Sequence, residues 1–274
     1  MFALLYMIRP LNVMLGCLAV GITQSIINIP VPNDKLIWLY SVILFFISGS
    51  NILNDIYDYT TDAVNHPERA IPSGKISRKL SFFTTIIFLS IGIYSAVQLN
   101  PLSQRIALGL VLPLIIFYTP ILKSIPLIGN IVISLMLGLV FIYTEVAVSG
   151  SLEHSMIPAI LAFSLTLIRE IVKDIQDIDG DRKVNLATFP VKFGIVPSIA
   201  ISKILMVLLC FLVLFPFVLN IYGILYLLAV VFGVIFPTVY SIFFLQNHPT
   251  SNGCKQIAGV LKFSTVFGLI SIYL

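Results

Sequence analysis

The chain is short of charge, and of acid above all. Of its 274 residues only 10% are Asp, Glu, Lys or Arg, while 58% are hydrophobic. A soluble domain carries about 25% charged residues. A water-soluble fold is therefore excluded, and a mean hydropathy of +1.05 marks an integral membrane protein. Cysteine is scarce as well. Cys17, Cys210 and Cys254 are scattered and form no CxxC pair, which leaves no disulfide framework to read and makes them core-filling thiols. His66, His154 and His248 are isolated and lack ligand spacing, so no metal role falls to them. The net charge of +4 comes from loop lysines and arginines and points to no nucleic-acid partner.

Also missing is the apolar–polar alternation of a membrane β-strand. The apolar runs are continuous and near the ~20 residues that a spanning helix needs. Nine segments are predicted, over 11–29, 36–58, 80–99, 104–119, 127–149, 156–177, 194–218, 221–245 and 256–273. Prolines mark the joints, among them Pro30, Pro72, Pro101, Pro120, Pro126, Pro190 and Pro249. The expected fold is an all-α integral membrane protein, a single domain over residues 1–274 with nine transmembrane helices around a central cavity. Arg9-Pro10 interrupts the first apolar run, which argues against a signal peptide and reads as the polar entry to the first helix. Arg9, Arg69, Lys75, Arg78, Lys79, Lys123, Arg182, Lys183, Lys192 and Lys255 fall on one face, against Lys35 and Arg105 on the other. The positive-inside rule then puts the N-terminus in the cytoplasm and the C-terminus outside.

The little acid there is has been concentrated. Of 12 Asp and Glu residues, nine lie between Asp55 and Glu68 or between Glu170 and Asp181. They form one pattern twice: Asp55, Asp58 and Asp62, then Asp174, Asp177 and Asp181. Spacings of three and four predict each trio on one face of a helix, at the C-terminal end of a membrane span. That end carries partial negative charge. Two carboxylates ~6 Å apart repel by roughly 3 kcal/mol at an effective dielectric of 20, so the trios require cations. The second and sixth spans run in the same direction. A parallel repeat of helices 1–4 and 5–8 would bring the trios together across one cavity at the cytoplasmic face of a multi-pass cell-membrane protein.

Hard oxygen ligands of this kind suit Mg²⁺, which keeps several waters and is completed by substrate phosphates. Arg69, Lys75, Lys123, Lys173, Arg182 and Lys183 can take further phosphate oxygens. A neutralised diphosphate is a good leaving group, and the apolar helices behind it suit a long hydrocarbon chain. The combination implies ionisation of an allylic prenyl diphosphate beside a lipid-soluble acceptor, among membrane lipids.

Asn54-Asp55-x-x-Asp58-x-x-x-Asp62 and Asp174-x-x-Asp177-x-x-x-Asp181 resemble the paired motifs of the UbiA-type intramembrane prenyltransferases. So do Arg9-Pro10-x-Asn12, Tyr118-Thr119-Pro120 with Lys123, and Gly129-Asn130. The resemblance implies that Asn54, Asp58, Asp62, Asp177 and Asp181 hold Mg²⁺ and diphosphate, with Asp58, Asp62, Asp177 and Asp181 on the metal and Asp55 and Asp174 in support. It also places Asn12, Arg69, Lys75, Tyr118, Lys123, Arg169, Lys173, Arg182 and Lys183 around the substrates. Arg69 to Ser77 and Arg169 to Asp181 are similar to the digeranylgeranylglyceryl phosphate synthase branch, although Ala70 stands where proline is common. That branch implies transfer of a geranylgeranyl group to geranylgeranylglyceryl phosphate in ether-lipid synthesis.

Other readings compete. Within the same family the acceptor would be an aromatic or quinone precursor. A CDP-alcohol phosphotransferase needs Asp-Gly and Ala-Arg in one continuous motif, which neither trio supplies. A divalent-cation transporter predicts acid near the bilayer midplane, whereas these trios lie at one interface. Individual residues have plainer readings too. Arg169 and Glu170 can pair inside the bundle, Tyr118 can anchor at the interface, and Asn12 can satisfy a neighbouring helix. Lys203 and Lys262 read as snorkelling. Glu145 fits none of these roles.

Overall fold

In hydrocarbon, a backbone N–H or C=O must find its partner within the protein, and a helix satisfies this in one segment. The computed structural model describes residues 2–274, and they follow that rule, with no strand among them. In chain order the helices are α1 (Phe2–Ile8), α2 (Pro10–Ile27), α3 (Asn33–Tyr57), α4 (Tyr59–Asn65), α5 (Arg78–Val97), α6 (Pro101–Tyr118) and α7 (Ile128–Ser149). They continue with α8 (Met156–Gln176), α9 (Ile178–Lys183), α10 (Phe189–Phe193), α11 (Ile195–Val218), α12 (Ile224–Asn247) and α13 (Ser251–Tyr273). Eight are long and apolar enough to cross a membrane: α2, α3, α5, α6, α7, α11, α12 and α13. Among the nine predicted segments, 156–177 differs. It forms α8, 21 residues long, but carries Arg169, Glu170, Lys173 and Asp174. The chain is thus a multi-pass membrane protein.

Two compact units divide it, Met1–Ser124 with Val140–Ser155, and Ile125–Leu139 with Met156–Leu274. In the first, α3 packs along α5. A Cβ on Gly92 would collide with the Phe46 ring, so glycine permits the close approach of these two helices. The chain between α4 and α5 is not simply a polar loop. Ala70 and Ile71 are buried against Met7, Ile52 and Ile56, which fixes the neighbouring Arg69.

The same unit explains Glu145. Its carboxylate accepts hydrogen bonds from the backbone N–H groups of Glu153 (2.9 Å), His154 (2.9 Å) and Ser155 (2.8 Å), and from the Ser155 hydroxyl. Those N–H groups precede α8 and would otherwise be orphaned. Glu145 ties down the turn between α7 and α8.

In the second unit α8 packs on α11 and α13. Leu165, Ile168, Val172 and Ile175 recur at spacings of three and four and are buried in its core. This stripe fixes the rotation of α8 and sets Glu170, Asp174 and Asp177 on a different face.

One distortion occurs in both units. Residues Arg105–Val111 of α6 and Val231–Ile235 of α12 are wound as π-helix, just ahead of Pro113 and Pro237. Proline has no N–H to give and its ring crowds the carbonyl four residues back. Local widening to i→i+5 bonding accommodates both. The residue four back is glycine each time, Gly109 and Gly233. At Gly233 an added Cβ would also strike Phe267.

Candidate active site

Each aspartate trio straddles a joint, which corrects the expectation of one continuous helical face. In the first motif α3 ends at Tyr57, and Asp58 is the hinge residue, with φ −78° and ψ 6°. In the second α8 ends at Gln176, and Asp177 is the hinge, with φ −93° and ψ 6°. The backbone hydrogen bonds correspond too. Asp58 N donates to Asn54 O at 2.8 Å and Asp177 N to Lys173 O at 2.9 Å; Asp62 N donates to Asp58 O at 2.7 Å and Asp181 N to Asp177 O at 3.2 Å. The four-residue register therefore survives the bend, which is why spacing alone did not disclose it. The bend also eases the dipole conflict. Asp62 and Asp181 fall in the first turn of the short helices α4 and α9, where exposed N–H groups favour negative charge.

The first motif is held by cations. Arg9 Nη2 donates to Asp55 Oδ1 at 2.7 Å. Arg69 Nη1 reaches both oxygens of Asp62 at 2.7 Å and lies 3.8 Å from Asp55. Lys123 Nζ donates to Asp58 Oδ1 at 2.6 Å. The Thr119 hydroxyl donates to Asn54 Oδ1. Asp55 and Asp62 are buried, with 5% and 4% of their surface exposed. Burial pushes the Asp62 carboxyl above the usual range; Arg69 opposes the shift, and Asp58 and Asp55 add to it. Further positive charge beside Asp62 would therefore be welcome.

In the second motif neutral donors reach each carboxylate directly. Asn130 Nδ2 donates to Asp174 Oδ2 at 2.8 Å, and the Thr188 hydroxyl donates to Asp181 Oδ2 at 3.2 Å. Gln176 Nε2 lies 3.3 Å from Asp177 Oδ1. Arg169 and Lys173 both turn to Glu170.

The predicted site residues thus separate. Asn54, Asp55, Asp58, Asp62, Arg69 and Lys123 converge in the first unit. Arg169, Lys173 and Asp174 lie along α8, with Asp177 and Asp181 at the joint below them. Tyr118 is buried at the end of α6 beside Thr119. Lys75, Arg182 and Lys183 are exposed, and Asn12 is half-buried in the first turn of α2. Sequence reasoning missed Arg9, Thr119, Asn130 and Thr188 as members of the site. Arg9 had a signal of its own: a lone cation before proline, here in a left-handed conformation with φ 55°, rather than a polar entry alone.

The donor set fits Mg²⁺. The carboxylate oxygens are hard, and four of those in the first motif already sit at hydrogen-bond distance from a positive group. Among the described residues no three Asp, Glu, His or Cys converge as a ready cage. Mg²⁺ asks for one or two carboxylates with water and phosphate, not an all-protein cage.

Residues 3–265 match the UbiA prenyltransferase family. The chain is 31% identical over 266 residues to digeranylgeranylglyceryl phosphate synthase of Methanosphaera stadtmanae, covering 96% of this chain and 95% of that one. It is 33% identical over 275 residues to the same-named protein of Pyrococcus horikoshii, covering 99% and 96%. The fold is similar to a solved structure concerned with digeranylgeranylglyceryl phosphate synthase in membranes, with a TM-score of 0.74 at 26% identity over 99% of this chain and 96% of that one. It also resembles a UbiA homologue from Archaeoglobus fulgidus bound to GPP and Mg²⁺, with a TM-score of 0.70 at 19% identity over 99% and 100%. With the family matched along nearly its whole length and relatives above 30% identity over more than nine-tenths of it, the chain belongs to the UbiA prenyltransferase family.

Proposed function

We propose that this enzyme transfers a geranylgeranyl group from its diphosphate to the free glycerol hydroxyl of geranylgeranylglyceryl phosphate, forming the second ether bond of an archaeal-type lipid. The observation that carries it is a chain-long relationship to proteins of that name, in a molecule that repeats the same aspartate joint. Asp58, Asp62, Asp177 and Asp181 would hold Mg²⁺, with Asn54, Asp55 and Asp174 supporting them. When bound, Mg²⁺ neutralises diphosphate and makes it a better leaving group.

The chain's own groups do the rest. Lys123 and Arg69, paired here with Asp58 and Asp62, are the cations to which diphosphate oxygens would be drawn. The allylic C–O bond breaks, and its electron pair leaves with the diphosphate. The glycerol oxygen gives a pair to the allylic carbon, and its proton passes to released diphosphate or a motif carboxylate. Apolar helix walls exclude the water that would quench the allylic cation. We place this chemistry at the cytoplasmic face, on the bias of lysine and arginine toward the loops that follow both motifs.

Radiolabelled geranylgeranyl diphosphate offered with several acceptors tests the reading. Geranylgeranylglyceryl phosphate should be the preferred acceptor, and chelation should stop turnover. Preference for 4-hydroxybenzoate would replace the acceptor, and full turnover in excess chelator would remove the metal. Single cysteines in the Asn65–Lys79 and Arg182–Lys192 loops, without the native thiols, should react with an impermeant thiol reagent only after lysis. Labelling in intact cells would reverse the orientation.

A further inference from the structure

The cations of α8 are spent in an unexpected way. Glu170 lies one turn before Asp174, outside the trio, and is buried. Its Oε1 accepts from Arg169 Nη1 at 2.9 Å and its Oε2 accepts from Lys173 Nζ at 2.9 Å. One carboxylate thus gathers two cations into a group. Arg169 precedes Asp177 by eight residues, or about 12 Å along the helix, so this group lies closer to the middle of α8 than the joint does. Arg169 Nε is buried without a hydrogen-bond partner. Its helix neighbours Ile168 and Ile171 are each 1% exposed and offer none. A desolvated charged donor left unmatched is unfavourable, and a native site that keeps one calls for an explanation.

We propose that Arg169 and Lys173, held in place by Glu170, form the subsite for the phosphate of the lipid acceptor. This rests on the acceptor reading above. Three features favour it. In the first motif the cations Arg9, Arg69 and Lys123 lie on trio carboxylates, where diphosphate is expected. The α8 cations instead donate their hydrogen bonds to a carboxylate outside the trio. With Nη1 on Glu170, the Nε edge of the Arg169 guanidinium remains, and it matches two phosphate oxygens side by side. Lastly, the Arg169 side chain is 22% exposed and that of Lys173 35%, so an anion can approach both and draw the Nε edge round. Arg169 and Lys173 are binding residues in this scheme. Glu170 is a positioning residue: it fixes the separation of the two cations and lowers their mutual repulsion.

The test compares geranylgeranylglyceryl phosphate with its dephosphorylated alcohol. Wild-type enzyme should favour the phosphate. Arg169→Gln should raise KM for the phosphorylated acceptor about 10- to 100-fold, the loss expected for hydrogen bonds to a charged group. KM for geranylgeranyl diphosphate and for the alcohol should stay within about twofold, since neither reaches this subsite. Arg169→Lys should recover part of the loss, and Glu170→Gln should raise the same KM with a far smaller change in kcat. Calorimetric titration of the acceptor, without metal or prenyl diphosphate, should show the same ranking. A uniform fall in kcat for both acceptors would make Arg169 merely structural, and undiminished discrimination in Arg169→Gln would overturn the subsite alone. A wild-type enzyme indifferent to the acceptor phosphate would overturn the acceptor reading and the subsite with it.

Discussion

The two aspartate motifs share a backbone and differ in what holds them. Asp58 and Asp177 turn the chain through nearly the same dihedral angles, and the third aspartate of each trio follows in a new short helix. The first trio is held by Arg9, Arg69 and Lys123, which stand 46, 7 and 65 residues from their partners. In the second, Asn130 holds Asp174 from 44 residues away and Thr188 holds Asp181 from seven. The bend is local and is repeated with the motif. The groups that donate to the carboxylates come from elsewhere in the chain and differ in kind. Two copies of one carboxylate geometry therefore differ in their direct contacts, with cations donating to all three aspartates of the first and amide and hydroxyl groups donating to Asp174 and Asp181 of the second.

The largest effects should fall where the motifs are alike. Asp58→Asn and Asp177→Asn should each lower kcat/KM by on the order of 10²–10³, the loss typical of removing one electrostatic group from a transition state. The double variant should be little worse than either, because groups that act as a unit are not additive. Near-normal turnover from one corner variant, in protein that still folds, would break the equivalence of the two joints.

Stability should separate them. The Asp58 and Lys123 side chains are 12% and 20% exposed. Lys123→Gln would leave a mostly buried carboxylate without this cation, and losing one partner of such a pair costs about 3 kcal/mol. Adding Asp58→Asn should return much of that loss, because the orphaned charge is gone, while activity stays low. Melting of both variants in detergent checks this. A double variant no more stable than Lys123→Gln would mean that Lys123 supports the fold by packing rather than by pairing.

What the sequence could disclose follows the same division. Long apolar runs located the spans to within a few residues, since a membrane leaves a continuous apolar segment little choice. The predicted 127–149, for instance, is observed as Ile128–Ser149. The joints were hidden because the i→i−4 backbone bond continues across them, so spacings of three and four look the same bent or straight. Charge composition singled out Arg69 and Lys123, though as phosphate cations rather than partners of Asp62 and Asp58. Arg9, Thr119 and Asn130 were read only as parts of family motifs, and their partners, 46, 65 and 44 residues away, follow from the fold alone. Glu145 was opaque for the opposite reason: its partners are backbone N–H groups, which any sequence would supply. The π-helical stretches ahead of Pro113 and Pro237, in the fourth and eighth predicted spans, give the proposed internal repeat a second correspondence besides the aspartates.

The smallest effect should be at Asn130, and it sharpens the comparison most. Asn130 donates to Asp174 at 2.8 Å, a hydrogen bond from a neutral group to a carboxylate, so Asn130→Ala should cost about 1.5 kcal/mol. Because no charge is removed, that loss should be nearly the same at ~0.1 and ~1 M salt, where the Debye length falls from about 10 Å to 3 Å. Asn130→Asp has almost the same shape but puts a like charge beside Asp174. It should cost more than the alanine variant, and part of the excess should vanish at high salt. Melting curves of the two variants at both salt concentrations decide the matter. If Asn130→Ala proves as salt-sensitive as Asn130→Asp, the second motif is governed by charge as the first is, and the distinction between them fails.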